Sequence, residues 1–327
     1  MKKIYKICLV LFGALLLWGC GSATGNGEYQ KSESPISTER EEETDKDGIK
    51  APVIEETDWS EYFDGLNGAG VIYDPAEDCY QIYNREQADT RRSPCSTFKI
   101  ISSLSGLENH VIDPENSVRK WSGEEFWNPD WNQDIDFREA FRTSCIWYFR
   151  EVIDEIGPDA MQKELDSLHY GNCDISDWEG RLNTNNSNRS LTGFWLESSL
   201  KISPKEQTEV MERIFGEDSK YSNETLKILE EVMLTEEQSE DGLTVYGKTG
   251  MGKAEGITVD SWFTGFADVQ DKRVYFCIWL GETKGADVSS AKAKEIALKL
   301  LADQYTKQET RKELLSMAYG CGREFFS

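Results

Sequence analysis

Apolar positions along the chain change period twice. Gly70-Val71-Ile72-Tyr73 and Cys79-Tyr80-Gln81-Ile82-Tyr83, parted by Asp74-Pro75, read as two strands joined by a turn. From Ile100 to about residue 235 the spacing is mostly helical. Ile100, Ile101, Leu104 and Leu107 mark one helix, and Phe137, Phe141, Trp147, Tyr148 and Val152 suggest helical packing over 136–156. Ser203-Pro204-Lys205-Glu206 is a capping box with proline at the first helical position, opening a helix to about Phe215. Leu226, Leu229, Val232 and Met233 mark another. Strands then return. Leu243 to Gly247 leads into Lys248-Thr249-Gly250, and Ser261–Val269 and Val274–Leu280 form a hairpin through Gln270-Asp271-Lys272, apolar enough to be central. Asp287 is expected to cap a helix from Val288 to Leu301.

Strands at both ends around a helical block predict an α+β fold. A central antiparallel sheet is built from N- and C-terminal segments and flanked by helices, with a mostly helical subdomain inserted beside it. The folded domain is expected to span residues 56–305, leaving 306–327 as a charged C-terminal tail whose structure the sequence leaves open.

The N-terminus has a different pattern. Lys2, Lys3 and Lys6 precede a short apolar run from Ile7 to Trp18, too short to span a bilayer comfortably, so residues 1–19 read as an export signal. Leu17-Trp18-Gly19-Cys20 resembles a bacterial lipoprotein box, with Trp18 bulkier than the usual residue; cleavage before Cys20 and lipidation of its sulfur are expected. Residues 20–55 are acidic and poor in apolar side chains, and read as a flexible tether. The expected location is extracytoplasmic, lipid-anchored to the bacterial membrane.

A formal charge of −24 supplies no basic stripe for nucleic acid. Only His110 and His169 are present, and the eight cysteines include no C-x-x-C pair, so no metal site is expected. Serine chemistry here calls for a base other than histidine.

Ser96-Thr97-Phe98-Lys99 offers one. Three residues apart on a helix, Ser96 and Lys99 share a face, and Pro94 upstream places Ser96 at a buried helix start, where free N–H groups favour developing negative charge. Serine needs an adjacent base to act as a nucleophile, and Lys99 qualifies if burial silences its charge. An ordinary helix start has the same four residues, and Ser117–Lys120, Ser198–Lys201 and Ser289–Lys292 match the pattern too. Context separates them.

Ser96-Thr97-Phe98-Lys99 is followed in order by Ser144-Cys145-Ile146, Tyr170-Gly171-Asn172, Phe194-Trp195-Leu196, Lys248-Thr249-Gly250 and Trp262-Phe263-Thr264-Gly265. This succession resembles a class D (oxacillinase-type) serine β-lactamase, of the penicillin-recognising serine enzyme superfamily, from about Trp59 to Leu301. Ile146 replaces the usual valine, and Ser176-Asp177-Trp178 is an accidental S-D pair rather than a class A motif.

The resemblance implies hydrolysis of β-lactam small molecules, penicillins at least, with Ser96 forming the acyl-enzyme. It implies that Lys99 is carboxylated by CO2 or bicarbonate to N6-carboxylysine, the general base, with Trp195 donating to the carbamate. Backbone N–H groups of Ser96 and Met251 would form the oxyanion hole, and Ser144 and Lys248 would pass a proton to the departing nitrogen. Phe98, Ile146, Leu196, Thr249, Gly250 and Met251 would line the substrate site, while Tyr170-Gly171-Asn172 would be a mainly structural turn.

Where the family often has a carboxylate-binding arginine, alignment on Lys294-Glu295 puts Ser289, with Lys284 or Lys292 as possible substitutes. Cys95 and Cys145 are expected as buried free thiols in preference to a disulfide. The alternative reading is a penicillin-binding or β-lactam-sensing protein that acylates without turnover. A membrane-embedded sensor is expected to have several spanning helices before such a domain.

Overall fold

The computed structural model describes residues 51–182, 188–235, 243–269 and 272–320, which lie in the compact unit Pro52–Ser327 apart from Ala51. The expected signal, Cys20 and all but the end of the tether lie outside the described residues, as do positions 270 and 271 of the hairpin turn.

In chain order the elements are β1 (Val53–Glu56), α1 (Ser60–Phe63), β2 (Gly68–Asp74), β3 (Cys79–Tyr83), α2 (Arg85–Ala88), α3 (Lys99–Glu108), α4 (Phe137–Arg142), α5 (Ile146–Ile156), α6 (Pro158–Leu168), α7 (Pro204–Phe215), α8 (Asn223–Met233), β4 (Leu243–Ala254), β5 (Ile257–Val269), β6 (Lys272–Gly281) and α9 (Ser290–Gly320). Among the described residues the strands form one sheet, ordered β1-β3-β2-β6-β5-β4. Its pairings are antiparallel except that β1 lies parallel to β3 at one edge.

The apolar run of β6 is explained by burial on both faces. Phe276, Ile278 and Leu280 pack with Ala293, Ile296, Ala297 and Leu300 of α9, while Cys277 and Trp279 pack with Val71, Ile82 and Trp262 on the opposite face. The helical region forms its own core. There α3 is buried at every residue from Lys99 to Leu107, packing against α5 and α8. Its serines avoid orphaned hydroxyls by bonding back to the helix: Ser102 Oγ donates to the Phe98 carbonyl and Ser103 Oγ to the Lys99 carbonyl. The capping box of α7 is present in both directions between Ser203 and Glu206.

Two boundaries differ from the sequence reading. The sheet starts inside the segment read as tether, because Val53-Ile54-Glu55-Glu56 pairs at an edge where its outer face stays in water and its acidic character costs little. The last helix is capped by Ser289, whose Oγ accepts from the Lys292 N–H at 3.2 Å, and not by Asp287. It then continues to Gly320, through much of the segment read as tail.

Candidate active site

Ser96 stands in a tight 3-10 turn, Cys95–Phe98, which runs into α3 at Lys99. It is the one residue from Ser93 to Ile100 that is not buried. Cys95, immediately before it, holds a left-handed φ of 52° with no glycine to ease it. Such strain persists only where surrounding contacts fix it, and they do so here. Thr97 Oγ1 donates to the Pro94 carbonyl at 2.7 Å and accepts from Gln207 Nε2 at 3.0 Å. Ser93 donates from Oγ to the Trp195 carbonyl, accepts there from the Glu197 N–H, and receives Trp262 Nε1 on its own carbonyl.

Lys99 points back at the serine. Its Nζ lies 3.1 Å from Ser96 Oγ, the residue is 1% exposed, and the face of Phe149 sits 5.5 Å away. Burial lowers the ammonium from its ordinary value to about 8, with the thiols of Cys145 and Cys95 opposing the fall. About one-tenth of the amine is then neutral at pH 7, against well under a thousandth at the ordinary value. Both cysteines are free and buried; burial pushes the Cys145 thiol up to about 12 and raises that of Cys95 as well.

A second serine–lysine pair faces the first. Ser144, also left-handed at φ 55°, joins α4 to α5. Lys248 Nζ of β4 donates to Ser144 Oγ at 2.5 Å and to the Thr249 carbonyl at 3.1 Å. Burial first, and the charge of Lys99 second, hold Lys248 well below its ordinary value. The two amines therefore lie near enough to feel one another, and a proton on one disfavours a proton on the other.

Strand β4 is threaded past the Cys95–Phe98 turn, and glycine makes the passage possible. A Cβ on Gly250 would stand 3.0 Å from the Pro94 carbonyl oxygen and from Thr97 Cγ2, and one on Gly252 2.8 Å from Cys95 Sγ. Met251, between them, is 41% exposed. The Met251 stretch of β4 thus passes directly against the Pro94–Thr97 segment.

Trp195 is buried and stacks on Phe98 at 5.9 Å. Phe98 is itself enclosed by Tyr170, Phe194 and Trp195, so its ring forms the wall behind the site rather than a surface open to substrate. Ile146, Leu196 and Thr249 are half-buried. The Tyr170-Gly171-Asn172 turn is stapled to the chain ahead of α7: Asn172 donates to the Ser199 carbonyl and accepts from the Lys201 N–H.

Residues 68–302 match the penicillin binding protein transpeptidase domain. The chain belongs to that family. Within the family it is 33% identical over 240 residues to the probable β-lactamase YbxI of Bacillus subtilis, covering 73% of this chain and 81% of that one. It is 31% identical to the regulatory protein BlaR1 of Bacillus licheniformis over 76% of this chain but only 39% of that longer protein. Among solved structures, the C-terminal domain of the Bacillus licheniformis BlaR penicillin-receptor superposes with a TM-score of 0.67 at 28% identity, covering 78% of this chain and 98% of that domain. A class D β-lactamase from Bacillus subtilis gives 0.65 at 31%, covering 76% and 95%. Both class D β-lactamases and receptor domains are thus relatives of this transpeptidase-family chain.

Several residues of this family member were not legible as site residues. Phe149 and Phe141 present ring faces to Lys99 and Lys248. Their helical spacing signalled only a core. Asp177 and Trp178, from the S-D pair read as accidental, hold the loop that ends in Trp195: Ser198 Oγ donates to Asp177, and Trp178 stacks on Phe194 at 5.1 Å. It is Lys294 of α9, and not Lys292 or Lys284 of the preceding loop, that lines a cavity of about 360 Å³ together with Phe141, Arg142, Leu234, Lys248 and Thr249. Lys292 instead pairs with Glu295 on the surface.

Proposed function

We propose that this chain hydrolyses β-lactams through an acyl-enzyme on Ser96, and that Lys99 is carboxylated when it acts. The observation that carries the reading is Lys99 Nζ at 3.1 Å from Ser96 Oγ in an almost water-free setting. Ser96 Oγ loses its proton to the base beside it and bonds to the lactam carbonyl carbon. The ring C–N bond breaks, its nitrogen takes a proton relayed by Ser144 and Lys248, and water then cleaves the ester to free Ser96.

The site suits CO2. Only a neutral amine can add it, burial lowers Lys99 towards that form, and a carbamate formed there would favour a proton on the neighbouring Lys248, which burial and the Lys99 charge otherwise disfavour. The resulting carbamate would supply a general base where an ammonium supplies none. The chain's own part is to keep that amine dry, by Phe149 at the amine and Trp195 behind Phe98, and to aim it at Ser96.

The test is turnover. Purified protein is expected to hydrolyse a chromogenic cephalosporin, faster with added bicarbonate, and intact mass should show only a transient adduct. A stable adduct without turnover would favour the receptor reading, which the superposition on the penicillin-receptor domain supports. The same proposal places the domain outside the cytoplasm on a lipid at Cys20; a mature N-terminus other than lipidated cysteine would remove that part.

Thr249, Lys248 and Lys294 are proposed to meet the substrate carboxylate, with Lys294 supplying the charge that Ser289 lacks. Lys294→Ala should raise KM about three- to tenfold with kcat little changed, as loss of a partly screened charge contact does. Steady-state kinetics at two salt concentrations checks it, and an unchanged KM excludes the lysine.

A further inference from the structure

One buried cation is not used by the chemistry above. Arg150 lies on α5, six residues after Ser144, and is 6% exposed. Its Nε and Nη2 donate to the Asp154 carboxylate at 2.9 and 2.5 Å. Its Nη1 donates to the carbonyls of Trp178 at 2.8 Å and Thr192 at 3.4 Å. The guanidinium carbon sits 5.8 Å from the Trp178 ring and 5.9 Å from the Trp195 ring, and the Glu179 carboxylate approaches to 3.9 Å.

A buried ion pair is weak evidence for stability, since an apolar side chain of similar size often serves as well. What this arginine does specifically is bind one helix to one loop. The carbonyls it holds belong to the two limbs of the chain that pass each other at Gly180 and Gly193, where a Cβ on Gly180 would meet the Gly193 nitrogen at 2.3 Å. The second limb ends at Trp195, whose own carbonyl is fixed by the Cys95 N–H and Ser93 Oγ. Arg150 on one side and the nucleophile turn on the other therefore clamp the indole.

We infer that Arg150 is a positioning residue that holds Trp195 against Phe98, the residue before Lys99, through its bonds to the Trp178 and Thr192 carbonyls and its contact with the indole face, and so sets how much CO2 the site needs. The inference rests on the reading of Lys99 given above. Carboxylation is reversible, so anything that lets the indole drift and water reach the amine shifts the equilibrium towards free lysine. Arginine suits the place because its planar fork reaches a carboxylate and two carbonyls at once; lysine does not.

The test titrates 13C-labelled bicarbonate into wild-type protein, Arg150→Met, Arg150→Lys and Trp195→Ala, following the lysine carbamate by 13C NMR and acylation of Ser96 by intact mass. Arg150→Met should need about tenfold more bicarbonate for half-carboxylation, the scale of one lost hydrogen bond to a charged group. Trp195→Ala should need at least as much, and Arg150→Lys should fall between wild type and Arg150→Met. At saturating bicarbonate the Arg150 variants should still acylate. Thermal melts identify folded variants, and should the methionine variant not fold, the lysine variant decides. A folded variant with wild-type bicarbonate demand overturns the role of Arg150. A wild-type protein that acylates but gives no carbamate signal at any bicarbonate overturns the reading of Lys99 instead, and the inference with it.

Discussion

Lys99→Ala is expected to reduce turnover of a chromogenic cephalosporin by two to four orders of magnitude, the usual contribution of a placed general base. No other base stands as close to Ser96 Oγ among the hydrogen bonds of the turn: Thr97 Oγ1 is committed to the Pro94 carbonyl and Gln207, and Lys248 to Ser144. The intact mass of the variant after mixing with substrate is the informative measurement. A hydrolase should become a protein whose acyl adduct persists, whereas a receptor, stable as an adduct already, should show only slower acylation. Unimpaired turnover in the variant would remove Lys99 from the mechanism.

The same lysine predicts a pH dependence. Because burial lowers Lys99 to about 8, its neutral fraction falls with each unit of pH below that value. At fixed dissolved CO2, the rate of carboxylation should rise about tenfold per pH unit towards pH 8 and level off above it, as one titrating amine requires. The sign for stability is parallel. The native state binds fewer protons than the unfolded chain between about 8 and the ordinary 10.5, so stability gains from this group as pH rises through that window. Lys99→Ala should lose both effects.

Gly193→Ala should disrupt the packing around Trp195 severely. Its Cβ would lie 2.0 Å from Trp195 Cζ3 and 2.3 Å from Cη2. The indole cannot swing clear, since Phe98, Phe194 and Arg150 crowd it. Overpacking of this kind costs about 3 kcal/mol, at the upper end of its usual range. In a domain of this size that is roughly 6–12 °C in melting temperature. Folded protein should in addition require bicarbonate as Trp195→Ala does. Melting followed by kinetics at two bicarbonate concentrations separates these effects; a variant melting with wild type would show that the indole can move.

The sheet was legible where burial is two-sided. Val274–Leu280 and Ser261–Val269 read as central strands because neither face meets water. Val53–Glu56 was not legible, because an edge strand with one wet face looks like acidic linker. The chemistry followed the same divide. Ser96, Lys99, Ser144, Trp195 and Lys248 could be proposed from spaced motifs, and the structure brings the two serine–lysine pairs within electrostatic reach of each other. Arg150 gave no signal: a charged residue on an amphipathic helix reads as solvent-facing, and its partners are backbone carbonyls that any sequence supplies. Lys294 was hidden for a related reason. Which lysine of a helix turns towards a groove depends on where the helix begins, and that start shifted from Asp287 to Ser289.

Strand order has a practical consequence. The chain enters the sheet at β1 and carries Lys248 on β4, at opposite edges. Five strand spacings separate them, about 24 Å. A pull on the chain ahead of Val53 is taken up by the β1–β3 pairing, and four further ladders stand between that load and the edge that carries Lys248. Immobilising the domain by this end, or lengthening what precedes it, should leave the site's kinetics as they are in free solution.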